Sequence, residues 1–160
     1  MTPLSEVNLD DYLIDTEAQS WGPWLAPFAP PLPPQFDLFL VSRFLDVFVI
    51  YPDGSVNWLE IQSGRLTLLA PSRAEFEAAM ETEYAHWLMT GAVDAAVARG
   101  MKLGAGQCYA FKVPPILGGG YDIENVEVSE LKPTLRVLGE IFVQAMRVPA
   151  GASVRVGTSS

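Results

Sequence analysis

The chain has 160 residues, 49% of them hydrophobic and 18% charged, the proportions of one globular domain with a core of its own. Nineteen Asp and Glu against ten Lys and Arg give a formal net charge of -9, and a surface of that sign repels phosphate, which excludes direct nucleic-acid binding as the expected function. One cysteine, Cys108, and one histidine, His86, are too few for an internal disulfide or a dedicated zinc site, so no metal or cofactor is expected and a reducing compartment fits. Residues 1–15 carry Glu6, Asp10, Asp11 and Asp15 but no Lys or Arg, the opposite of a targeting segment, and no apolar run approaches the ~20 residues that span a bilayer. The expectation is a cytoplasmic protein without membrane association.

Residues 1–35 read as an acidic, proline-rich arm. Pro23, Pro27, Pro30, Pro31, Pro33 and Pro34 oppose regular helix and central strand, which predicts extended or polyproline-like chain. Trp21, Trp24, Leu25, Phe28 and Leu32 make the arm too apolar to float in water, so it is expected to lie on the domain. Residues 36–157 are expected to form that domain, and 158–160 a frayed tail. Within it, strands over 44–51 and 56–61 flank the turn Pro52-Asp53-Gly54-Ser55, and Ser63-Gly64 precedes a third strand over 66–69, which predicts an antiparallel meander.

Ser72 and Glu75 have the spacing of a capping box, and Phe76, Met80, Tyr84 and Trp87 then fall on one helical stripe. Gly91 is expected to interrupt this helix, with a second piece over 92–98 ending at Gly100. A strand over 107–113 stops at Pro114-Pro115, a glycine loop follows, and another strand is expected over 126–128. Leu131, Leu135, Leu138, Phe142 and Met146 keep helical spacing to about Arg147, with Pro133 in the first turn. A turn at 149–151 and a short strand over 153–156 complete the reading. The fold class is therefore α+β, a single domain in which an antiparallel meander packs against helices.

No catalytic signature stands out. His86, inside a helical stripe, reads as a packing residue, and Cys108, in an apolar strand, as a buried thiol; whether the two meet in space is not fixed by their positions. Gly118, Gly119 and Gly120 lack the Lys and Ser/Thr of a P-loop and the spacing of a dinucleotide fingerprint, so they read as glycines required by positive φ or close chain approach. They also form a candidate loop beside a pocket, with Tyr109, Tyr121, Glu124 and Asn125 as polar contacts. Asp122, Glu124, Glu127 and Glu130 lack the ligand alternation of an EF-hand and read as one charged edge of a strand, able to meet a basic partner. Trp21 and Trp24 are candidate exposed anchors for such a contact.

The ordered set Phe44-Leu45-Asp46-Val47-Phe48, Asp53-Gly54-Ser55-Val56, Leu59-Glu60, Ser72 with Glu75-Phe76, Gly106-Gln107-Cys108-Tyr109, Pro115 with Leu117-Gly118-Gly119, Glu124 to Val128 and Pro149-Ala150-Gly151 resembles the bacterial GAD-like family and the related C-terminal domain of type VI secretion immunity proteins. The likeness covers roughly residues 36–156 and is most specific from Gly106 through Val128. It departs at Leu45, where the pattern places Gly, and in the proline-rich opening. The resemblance implies an α+β domain, no established enzymatic activity and so no catalytic residues to carry over, and neutralisation of a cognate toxin effector, in some cases a basic nuclease. The leading expectation is a non-catalytic binding protein that occludes such a toxin. A small-molecule-binding protein or enzyme with a pocket near Gly118–Gly120, and a homo-oligomer, are the alternatives.

Overall fold

Four strands, β1 (Asp37–Val41), β2 (Asp46–Ile50), β3 (Val56–Glu60) and β4 (Arg65–Ala70), form an antiparallel sheet in meander order in the computed structural model, which describes residues 2–17 and 19–147. The expected turn at 149–151, strand over 153–156 and tail at 158–160 lie outside the described residues. Between β2 and β3, Asp53 Oδ1 accepts from the backbone N–H and the hydroxyl of Ser55 (2.9 and 2.6 Å), the turn chemistry that the Pro-Asp-Gly-Ser sequence implies.

Both faces of this sheet are covered. Phe48 lies opposite Trp58 in the β2–β3 register, and this face packs on Phe76, Met80, Tyr84 and Trp87 of helix α2 (Arg73–Trp87; the shorter α1 precedes it and is described below). Val47, Val49 and Leu59 turn the other way, onto Leu131, Leu135, Leu138 and Phe142 of the last helix, α4 (Leu131–Arg147). Strands buried on two sides read as nearly unbroken apolar runs, which is how 46–50 and 56–60 appear. A second sheet pairs β5 (Gln107–Phe111) with β6 (Val126–Glu130). With Phe44, its Tyr109, Phe111 and Val126 enclose a third cluster against Val93 and Ala96 of helix α3 (Thr90–Ala98). The α+β class with antiparallel sheets packed against helices in one domain is the observed architecture.

Three local expectations are corrected. The meander has a fourth strand, β1, and the strand expected to begin at Phe44 begins at Asp46. The chain reverses at Ser42–Leu45, where the Leu45 N–H donates to the Ser42 carbonyl (3.0 Å) and Leu45 has φ 65°. Left-handed backbone is usually signalled by glycine, and here a fully buried leucine holds it at a cost of ~1–2 kcal/mol, so the turn is invisible in the pattern. Next, the arm is not extended throughout: a short helix, α1 (Gly22–Leu25), runs into a 3-10 turn over Ala26–Phe28, with Pro23 and Pro27 in their first turns, where a missing N–H is harmless. Leu25, Phe28 and Leu32 are buried against α4, and Gly139 permits the crossing, because a Cβ there would lie 3.0 Å from Pro27 Cγ. Finally, the break after α2 falls at Met89, with φ 52°, and Gly91 sits inside α3.

Gln62, just beyond β3, joins the two sheets. Buried, its Nε2 donates to the carbonyls of Phe44 (2.7 Å) and Tyr109 (3.2 Å), and its Oε1 accepts from the Phe111 N–H (3.0 Å). Its own carbonyl accepts from the Ile116 N–H (3.1 Å). Gln62→Leu keeps the bulk but strands three interior backbone groups, so a loss of about 3 kcal/mol in unfolding free energy is expected from urea denaturation. Stability within ~0.5 kcal/mol of the parent would contradict this role.

Candidate functional site

Of the residues singled out in the sequence, those from Cys108 to Glu130 gather around the β5–β6 hairpin and the loop between its strands, whereas Trp21, Trp24 and His86 lie elsewhere. Asn125 closes that loop: its Nδ2 donates to the carbonyls of Val113 (2.9 Å) and Gly120 (2.7 Å), and its Oδ1 accepts from the Val113 N–H (2.9 Å). Its amide thus latches the loop. Gly119 lies against the same segment, where a Cβ would stand 1.7 Å from the Val113 carbonyl oxygen, an impossible contact. Gly118, at φ 94°, ends the 3-10 turn Pro115–Leu117. Tyr121, exposed, sets its ring edge-on to Phe111 with centroids 5.1 Å apart.

Between one face of the hairpin and α4 is a cleft of about 470 Å³. Its walls are mainly apolar, from Val113, Pro114, Leu117, Pro133, Val137 and Ile141. Val113 and Val137 stand 50% and 41% exposed, and Lys112 and Glu127 also border the cleft. Small residues on the hairpin leave the hollow, and the Ser129 and Thr134 hydroxyls lining it satisfy one another at 2.6 Å.

The four carboxylates do not form one row. Asp122 and Glu124 belong to the loop and its closing 3-10 turn, and Glu124 is 3.4 Å from Arg99. Glu127 and Glu130 are three apart on β6, which sends their side chains to opposite faces. Glu130 accepts from Gln107 Nε2 (3.3 Å), whereas Glu127 has no hydrogen bond or ion pair among the described residues. At the arm, Trp21 is only 5% exposed, its Nε1 donating to the Thr16 carbonyl (3.0 Å) and its ring edge-on to Trp24. The expected exposed pair is therefore corrected, since only the half-buried Trp24 offers surface.

Cys108 and His86 do not meet. Cys108 packs with the α4 side of the large sheet, while exposed His86 lies edge-on to Trp58 on the α2 side. Burial pushes the Cys108 thiol up to about 12, with Glu130 adding to the rise and Thr134 opposing it, so it is no nucleophile at neutral pH. Among the described residues no three His, Cys, Asp or Glu side chains are grouped to hold a metal ion, and no helix is long and apolar enough to cross a membrane.

One buried acid escaped the sequence reading. Asp46 is 5% exposed and directly opposite Glu60 across β2 and β3. Burial, then the facing Glu60, hold the Asp46 carboxyl well above its ordinary range, against the weaker pull of the nearby Trp58 indole. Glu60, half-buried, is itself raised by burial, against the pull of Arg65, whose Nε is 4.0 Å away. Asp46 sits inside an apolar run and reads there only as an interruption.

Residues 70–142 match the family model described as T6SS immunity protein Tdi1, C-terminal. The matched stretch contains α2, α3, both strands of the small sheet and the first twelve residues of α4, hence the whole hairpin and all of the cleft lining except Gln62. No curated protein matches the chain.

Because the folded state favours protonated Asp46, stability is complete below the ordinary carboxylate value of about 3.8 and falls as pH rises through the elevated one. Asp46→Asn mimics the neutral acid. Thermal unfolding is expected to show a higher Tm than the parent at pH 8, with the difference shrinking toward pH 4. A variant less stable than the parent at pH 8 would mean that the ionised carboxylate is favoured in the fold.

Proposed function

We propose that the protein neutralises a toxin effector by binding it and covering its working surface, with no chemistry of its own. The observation that carries this reading is the immunity-family match over residues 70–142. The net charge of -9 supports a basic partner, a nuclease being the effector class whose substrate demands such a surface, and opposes a nucleic-acid partner. Electrostatic attraction raises the association rate, and apolar contacts then slow release. The compartment follows from the target: a nuclease is met where its substrate lies, in the cytoplasm.

A second reading, a small-molecule site, draws on the apolar cleft beside Leu117, whose volume suits a ligand of modest size. The polar groups that would orient such a ligand are largely engaged, Ser129 with Thr134 and the Gln62 amide with three backbone groups. Occlusion of a protein partner is the better account.

Co-expression with the product of the adjacent gene is expected to rescue growth that this product alone arrests, and to yield a complex that weakens ~10-fold or more between 50 and 500 mM salt. No complex with either neighbouring gene product would overturn the immunity reading.

A further inference from the structure

The pairing of β5 with β6 leaves one sheet edge open. The Lys112 N–H donates to the Asn125 carbonyl (2.7 Å) and the Leu131 N–H to the Gly106 carbonyl (2.8 Å), at the two ends of a ladder that also pairs Ala110 with Glu127 and Cys108 with Ser129. Hydrogen bonding in an antiparallel pair alternates, so residues 125, 127, 129 and 131 aim their backbone groups at β5, while 126, 128 and 130 aim theirs outward. The Val126 N–H turns back to the Ile123 carbonyl. The Val126 carbonyl points outward but belongs to a buried residue, which leaves both groups of Val128 and the Glu130 N–H as the row able to pair with one further strand.

The outer edge of β5 is already satisfied, by the Arg43 carbonyl on the Tyr109 N–H and by the Gln62 amide. The edge of β1 is partly covered by the Leu13–Ser42 bridge, and β4 carries a cation, Arg65. Asp37 opens β1 with one carboxylate, whereas among the described residues the β6 edge carries two, Glu127, which is unengaged, and Glu130 on the opposite face. A second copy pairing antiparallel about Val128 would set Glu127 diagonal to its own counterpart at ~7–8 Å, a like-charge contact that disfavours self-association. A strand whose Lys or Arg side chains fall on the cleft face meets Glu127 favourably, and lies beside an apolar cleft flanked by exposed Val113 and Val137.

We propose that β6 receives an extended, basic segment of the partner protein as a third strand of the small sheet. Resting on the immunity reading for the partner's identity, the inference names the surface: main-chain hydrogen bonds to Val128 and its neighbours give affinity, and Glu127 selects positive charge. It accounts for an open edge within the family-matched stretch and for a carboxylate on it that no described residue engages.

The test is amide hydrogen exchange on the full chain, with two probes. A capped hexapeptide alternating valine and lysine is expected to slow exchange at Val128 and Glu130 by about tenfold at saturation, while one alternating valine and glutamate leaves it unchanged. In the complex with the co-expressed effector the same two amides are expected to be protected, and Glu127→Lys, an exposed change that leaves the backbone intact, is expected to weaken that complex about tenfold. Unchanged exchange with the lysine peptide, or equal protection by both peptides, overturns the docking edge. An effector complex with Val128 and Glu130 unprotected overturns it too while leaving the immunity reading intact, and absence of any complex removes that reading while the peptide result still decides the edge. Concentration-dependent protection without a probe would instead assign the edge to a second copy and overturn the proposal.

Discussion

The placement of the small sheet depends on the side-chain amide of Gln62. A primary amide with its donors and acceptor all engaged inside a protein cannot be exchanged for an apolar group without orphaning its partners, and here those partners belong to the turn before β2 and to β5. Phe44 leads into the large sheet, while Tyr109 and Phe111 are on β5. The same residue holds the loop beyond β5 through its carbonyl and Ile116. With Asn125 closing the far end of that loop, two amide side chains set where the hairpin stands, what the cleft beside α4 looks like, and which strand edge remains open. Apolar packing supplies most of the stabilisation, but it is non-directional and would tolerate a shifted hairpin.

Much of this was legible where local chemistry decides the outcome. The Asp53–Ser55 turn, the N-cap at Ser72, whose hydroxyl accepts from the Glu75 N–H at 3.2 Å, and the helical stripes of α2 and, as far as Phe142, of α4 form as their residue types demand, while Met146, expected on the same stripe, is exposed. What stayed hidden was set by tertiary context. Leu45 occupies a left-handed position without the glycine that would announce it, so the pattern hides the turn and β1 and starts the next strand two residues early, at Phe44. Gln62 looks like turn polarity after a strand, because nothing in its neighbours reveals that two carbonyls and an N–H from distant segments converge on it. Asn125 was visible as a polar residue in a candidate loop but not as the latch of that loop, and only the fold shows its amide to be spent on Val113 and Gly120.

Site and fold point the same way on function. The two residues most capable of chemistry, Cys108 and His86, are separated by the large sheet, and the thiol is held protonated by burial. The glycines of the loop serve backbone geometry. What the chain presents is shape and charge: an apolar cleft, an acidic open strand edge, and a surplus of carboxylates over cations. The open strand edge and most of the cleft lie within the stretch that the immunity-family model matches, and the proposed binding role rests on them.

Occlusion has a stoichiometry that enzymatic antagonism lacks. The most direct measurement is a titration of effector activity with this protein at concentrations well above the dissociation constant, read at several incubation times. The account predicts a linear loss of activity that ends at one equivalent and is the same at every time point. Inactivation by a small fraction of an equivalent, deepening with time, would contradict it.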